Sequence, residues 1–147
     1  MSNLLRILYV EDEVMLNELT TELLVAEGFL CVSVLNGEDA CRELEKKPFD
    51  LLLTDFQMPK MNGAELLFWC RRKNFHLPVI FLSGNIEAVP QAALALTDCC
   101  TSMLRKPIAF QDLLKAIKKS TTRKHEFNCL TNEEAKFPGQ HVEAKNS

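Results

Sequence analysis

Glu11, Asp12, Asp55, Ser83 and Lys106 are the residues of this chain whose types and placement could do chemistry. Glu11 and Asp12 close the apolar run ILYV, Asp55 closes LLLT, Ser83 closes VIFL, and Lys106 follows MLR. Three carboxylates gathered within about 5 Å would repel by roughly 3 kcal/mol per pair at an effective dielectric of about 20. A hard divalent cation removes that repulsion, because Mg2+ takes oxygen ligands in octahedral geometry, often from one or two carboxylates, and keeps several waters. Such an ion would also bind the oxygens of an incoming phosphoryl group, to which Lys106 adds a point charge and the Ser83 hydroxyl a hydrogen-bond donor. Asp55, the central carboxylate, is then the natural nucleophile, forming an aspartyl phosphate. Positioning and charge neutralisation are most of what phosphoryl transfer requires.

Each residue taken alone has a plainer reading. Acidic residues after a strand commonly cap helices, Ser83-Gly84 reads as a turn, Lys106-Pro107 as a solvated loop and Asp55 as a turn initiator. Their common position at strand ends is what those readings leave unexplained, and the elements of the chain supply the reason.

Residues 49–63, FDLLLTDFQMPKMNG, contain a short continuous apolar run stopped by turn residues. Such a run predicts a strand buried on both faces of a parallel sheet. Pro59 ends it, and Asn62-Gly63 is a strong turn dipeptide. Residues 5–10, 30–35, 79–83 and 100–104 read as further strands, the second at a sheet edge. Helical spacing appears in Met15, Leu16, Leu19, Leu23 and Leu24, with Gly28 in place to end that helix. Asn36 predicts an N-cap for a helix to about Lys46. Further helices are predicted over 64–73, with Arg71, Arg72 and Lys73 in the last turn where cations suit the helix dipole, over 85–97, and over 110–119. Strand and helix thus alternate five times with short connections. This predicts an α/β, (βα)5 fold with helices on both faces of a parallel sheet. Ligands of such sheets bind beyond the carboxyl ends of the strands, where all five chemical residues then lie.

The 147 residues fit one domain with a real core. A net charge of −3 and a pI near 5.6 give no basic face for direct nucleic-acid binding. Arg6 and the acidic residues 11–13 interrupt the apolar N-terminus, so neither a signal peptide nor membrane insertion is expected, and a cytoplasmic setting is. Six cysteines, Cys31, Cys41, Cys70, Cys99, Cys100 and Cys129, form no C-x-x-C pair and read as buried free thiols. Residues 121–147 balance four basic against four acidic residues with scattered apolar ones, and read as a polar, mobile tail after a domain of residues 1–120.

The stretches ILYVEDE, NGEDA, FDLLLTDFQMPKMNG, VIFLSG and LRKPI, in that order and spacing, resemble the receiver domain of two-component response regulators, of the stand-alone, chemotaxis-regulator-like kind. The resemblance covers residue 5 to about residue 120. It implies a doubly wound, flavodoxin-like fold with a five-stranded sheet in order 2-1-3-4-5 and five helices, and phosphorylation of Asp55 by a sensor histidine kinase or histidine phosphotransfer protein in a Mg2+-dependent reaction. It further implies a metal site of Glu11, Asp12, Asp55 and the Gln57 backbone carbonyl, with Asp12 binding directly and Glu11 through water. Ser83 and Lys106 match the hydroxyl and lysine that contact the phosphoryl group, Gly84 a small residue that leaves it accessible, and Pro107 a proline that is often cis-linked. Gln57 and Asn85 fall at positions that tune dephosphorylation in the family. Output is expected through phosphorylation-dependent contact with a downstream protein, the chain being a signalling phosphoacceptor rather than an enzyme.

Two positions depart from the family pattern. Met103 stands where an aromatic switch residue is usual, and Cys99-Cys100 where Gly-Ala is common. The alternative reading is a receiver-like interaction module that is not phosphorylated, against which the complete acidic pair, Asp55, Ser83 and Lys106 argue. An aspartate-nucleophile phosphohydrolase would want an acid at Gln57, and a flavin site would meet repulsion from Glu11, Asp12 and Glu13.

Overall fold

The computed structural model describes residues 4–89 and 100–122. Five parallel strands, β1 (Arg6–Val10), β2 (Leu30–Val34), β3 (Leu51–Asp55), β4 (Val79–Ser83) and β5 (Thr101–Arg105), form one sheet in the order β2-β1-β3-β4-β5. Among the described residues four helices accompany them: α1 (Val14–Ala26), α2 (Gly37–Lys46), α3 (Gly63–Arg72) and α4 (Phe110–Thr122). Every residue of β3 and β4 is buried, as continuous apolar runs in central parallel strands should be. β2 is only partly buried, which agrees with its expected place at an edge. The doubly wound fold and the strand order are therefore those expected.

Side chains alternate across each strand and divide the core in two. Leu8, Val10, Leu52, Val79 and Phe81 face α2 and α3, while Ile7, Tyr9, Leu51, Leu53, Ile80 and Leu82 face Leu24 of α1 and Leu113 and Ile117 of α4. Asn36 caps α2 as expected, its side chain accepting the Asp39 N–H. Gly28, at φ +103°, ends α1 in the left-handed region that favours glycine.

Several expectations change. Asn62-Gly63 is a helix start rather than an open turn: the Asn62 side chain accepts the Glu65 N–H and the Glu65 carboxylate accepts the Asn62 N–H, a reciprocal capping box. Arg71 lies in the last turn of α3 as expected, but it is also buried and donates to the carbonyls of Phe75 and Leu77, pinning the α3–β4 connection. In α1, Leu24 is fully buried, but Met15 is 79% and Leu19 55% exposed. The helix leans on the sheet through Leu24 and the polar Asn17, leaving Leu16, Leu19 and Leu23 along a cavity of about 660 Å3 whose far side is Phe110 and Leu113 of α4. Of the helix expected over 85–97, the structure shows a 3-10 turn, Ile86–Ala88, while residues 90–99 lie outside the described residues. α4 runs two residues beyond the expected boundary at 120, and the rest of the tail lies outside the described residues.

Four of the six cysteines lie among the described residues. Cys70 and Cys100 are buried as expected, whereas Cys31 and Cys41 are half-buried. Burial pushes the thiols of Cys31 and Cys41 up to about 11 and that of Cys70 to about 12, so all three are protonated at neutral pH. Cys99 and Cys129 lie outside the described residues.

Gly63 shows how tightly the site's floor is packed. A Cβ there would lie 2.9 Å from Cε1 of Phe81 and 3.0 Å from the Cα of Phe56, two residues whose rings meet edge to face at 5.4 Å. Gly63→Ala is expected to lower stability by about 1–3 kcal/mol through overpacking. Urea unfolding should show a lower midpoint with an unchanged slope.

Candidate functional site

The register of the sheet brings the five residues to one edge. Val10 pairs with Thr54, Asp55 with Leu82 and Ser83 with Arg105, so Glu11, Asp55, Ser83 and Lys106 all leave the sheet within a residue of its end. The backbone ladder continues past the strands, with Glu11 N–H donating to the Val34 carbonyl, Phe56 N–H to that of Leu82 and Lys106 N–H to that of Ser83.

Lys106 is the centre of the side-chain arrangement. Its Nζ lies 2.8 Å from Oδ1 of Asp55 and 3.2 Å from Oε1 of Glu11. Asp55 and Glu11 are 5% and 1% exposed, so the lysine neutralises two carboxylates that water barely reaches. Glu11 is further held by its own loop and strand: Oε2 accepts the Glu13 N–H, and the Tyr9 hydroxyl lies 3.5 Å from Oε1. Burial drives the Tyr9 phenol well above its ordinary range, so it remains an O–H donor.

Asp55 is pushed up to about 7, first by desolvation, with Lys106 opposing and the Glu11 charge adding to the rise. Burial alone would lower the Lys106 ammonium, but the hydrogen bond and charge of Asp55, then of Glu11, outweigh it, and the net shift is upward.

Carboxylate oxygens of Glu11, Asp12 and Asp55 come within 4.8 Å of one another, with Asp12 exposed and the other two buried. Three convergent oxygen donors of this kind suit a hard divalent cation. Gln57 stands at the mouth of the site, its side chain exposed and its Oε1 accepting the Ser83 hydroxyl at 3.0 Å. The Lys106–Pro107 peptide is cis. A Cβ at Gly84 would meet nothing within 4 Å, so open space flanks the site there. Met103 is partly buried, pairs with Phe81 in register and packs against the core beneath α3.

Asn17 joins the site without having been expected there. It is buried, and its side-chain NH2 donates to the carbonyls of Glu11 and Val34, both at 3.0 Å. It ties α1 to the ends of β1 and β2. The only sequence signal was a polar residue between apolar ones on the inner side of α1.

The parallel sheet, its order and the acidic cluster beside a lysine define a receiver. The sequence profile of the response regulator receiver domain matches residues 7–118, and the chain belongs to that family. Response regulator receiver protein CpdR of Brucella abortus is 32% identical over 119 residues, covering 78% of this chain and 94% of CpdR. A CpxR homolog of Haemophilus influenzae, a transcriptional regulatory protein, is 34% identical over 116 residues, 77% of this chain but 48% of that one. The chain spans 52% of the YcbL transcriptional regulatory protein of Bacillus subtilis, again about half of a longer relative. Among solved structures, response regulator TrrA of Thermotoga maritima, in complex with Mg(2+)-BeF, superposes with a TM-score of 0.71 at 28% identity over 80% of this chain and 99% of TrrA. TrrA in complex with histidine kinase ThkA matches with a TM-score of 0.69.

Proposed function

We propose that Asp55 is the phosphoacceptor of this receiver, taking a phosphoryl group from a histidine kinase or histidine phosphotransfer protein in a Mg2+-dependent reaction. The observation that carries this is the convergence of Lys106 on Asp55 and Glu11 beside a third carboxylate, Asp12. TrrA, a relative by structure, binds both Mg(2+)-BeF and a histidine kinase, which supports the same chemistry here.

Glu11, Asp12, Asp55 and the Gln57 backbone carbonyl would hold the metal, which when bound supplies positive charge to the phosphoryl oxygens. The chain's own groups do the rest. The Asp55 carboxylate attacks phosphorus, forming the acyl-phosphate bond as the phosphoryl bond to the donor histidine nitrogen breaks and the imidazole leaves. Lys106 Nζ moves from ion-pairing Asp55 to neutralising the phosphoryl group, and the Ser83 hydroxyl donates to one of its oxygens. Output passes through contact with a downstream protein. Among the described residues no helix is long and apolar enough to cross a membrane.

Incubation with acetyl phosphate and Mg2+ should give a covalent phosphoryl adduct, seen by mass spectrometry. A wild type without adduct would overturn the reading. Proton competition gives a second test. With Asp55 near 7, a metal that needs the carboxylate anion binds weakly at pH 6 and better at pH 8. Mg2+ is therefore expected to raise the melting temperature more at pH 8 than at pH 6, and much less in Asp12→Ala at either pH. Equal responses of wild type and variant would rule out this metal site.

A further inference from the structure

The Ser83 hydroxyl is already engaged. It is 1% exposed, donates to Oε1 of Gln57 at 3.0 Å and accepts the Asn85 N–H at 3.2 Å. A hydroxyl has one proton to donate, so a bond to Gln57 and a bond to a phosphoryl oxygen on Asp55 exclude each other. We infer that the Gln57 side chain is a resting-state latch, a positioning residue that holds the Ser83 hydroxyl away from Asp55 until a phosphoryl group outcompetes it. This inference rests on the acceptor role proposed above.

The latch has a second arm. When Ser83 turns towards Asp55, the Asn85 N–H loses its acceptor. Asn85 opens the 3-10 turn Ile86–Ala88. Glu87 in that turn grips Arg105 of β5 with two hydrogen bonds, 3.1 Å and 2.8 Å long. Release of Ser83 is thereby connected to the end of β5 through the backbone of this turn and the Glu87–Arg105 pair, without the aromatic ring that position 103 lacks. Hydrogen bonds join Gln57, Ser83 and Asn85 on one side and Glu87 and Arg105 on the other, and the backbone of the 3-10 turn links the two sets.

An amide acceptor reached by an exposed side chain makes a bond of ordinary strength. Gln57→Leu, which removes the acceptor, is expected to tighten the apparent binding of beryllofluoride with Mg2+ by about three- to tenfold. In a Ser83→Ala background the same substitution should change nothing, because the hydroxyl it frees is absent. In the metal-free Gln57→Leu protein, the Asn85 amide resonance should move towards its position in the beryllofluoride-saturated wild type. A wild type that binds beryllofluoride while Gln57→Leu binds it no tighter would overturn the latch alone. So would an equal gain in both backgrounds, which marks a steric effect at the site mouth. A wild type with no saturable response would overturn the acceptor role and the latch with it.

Discussion

Lys106→Met is expected to cost about 2–4 kcal/mol of stability at pH 8 in the absence of divalent metal, because removing one member of a buried ion pair strands the other. Here two members are stranded, Asp55 and Glu11, at 2.8 Å and 3.2 Å from the lost ammonium. Lys106 is raised in the folded state, so its stabilising contribution is fully present below its unfolded value and fades only as pH rises through the folded one, in the alkaline range. Neutral pH is well inside that window. The loss should shrink at pH 6, where Asp55 takes up a proton and one orphaned charge disappears. Mg2+ should restore much of it by replacing the missing positive charge. Thermal melts at the two pH values, with and without Mg2+, test this. A loss of equal size under all four conditions would mean that Lys106 acts through packing rather than charge.

Asp55→Asn should abolish the covalent adduct while making the metal-free protein more stable. Burial raises the Asp55 carboxyl to about 7 from 3.8, which says that the fold disfavours the anion despite Lys106. A carboxyl raised in this way contributes stability that is present below its unfolded value, near 4. That contribution declines as pH climbs through the folded value. The wild type at pH 8 therefore carries a penalty that a neutral amide avoids, on the order of 2 kcal/mol once the weakened tie to Lys106 is set against it. As pH falls below the folded value the advantage should shrink, and it should vanish below about 4, where the carboxyl is protonated in the folded and the unfolded chain alike. Chemical denaturation across this range measures it. An Asp55→Asn protein no more stable than wild type at pH 8 would show that Lys106 fully compensates the buried charge.

The sheet and the positions of Glu11, Asp12, Asp55, Ser83 and Lys106 were legible because one signal encodes both. An apolar run marks a buried strand, and the polar residue that stops it marks the edge where such sheets work. β1, β3 and β4 show this cleanly, with Glu11 and Ser83 1% and Asp55 5% exposed. What could not be read depends on how elements lean on one another. The spacing of Leu16, Leu19 and Leu23 reports an apolar stripe, but not that α1 would turn much of it towards a cavity. Asn17 and Arg71 are polar residues that belong inside because backbone carbonyls need donors there, at the ends of β1 and β2 and around Phe75 and Leu77. No pattern of apolar residues announces such a need. The Gln57–Ser83 bond joins residues 26 positions apart through side-chain rotamers alone, a level of detail that type and spacing do not carry.

The in-register ladder of β1, β3 and β4 has a consequence for how this chain can change length. Adjacent parallel strands lie about 4.8 Å apart, and Asp55, Glu11 and Ser83 are stationed on that grid by counting residues from the opposite edge. Deletion of Leu52 within β3, with Leu51 held in register, would turn Leu53 to the wrong layer and draw Asp55 back into the sheet. A one-residue deletion between Lys46 and Asp50, at the far edge, would leave the grid untouched. Insertions and deletions in descendants of this sequence should therefore gather away from the chemistry, in connections that can vary without moving any strand along its neighbour.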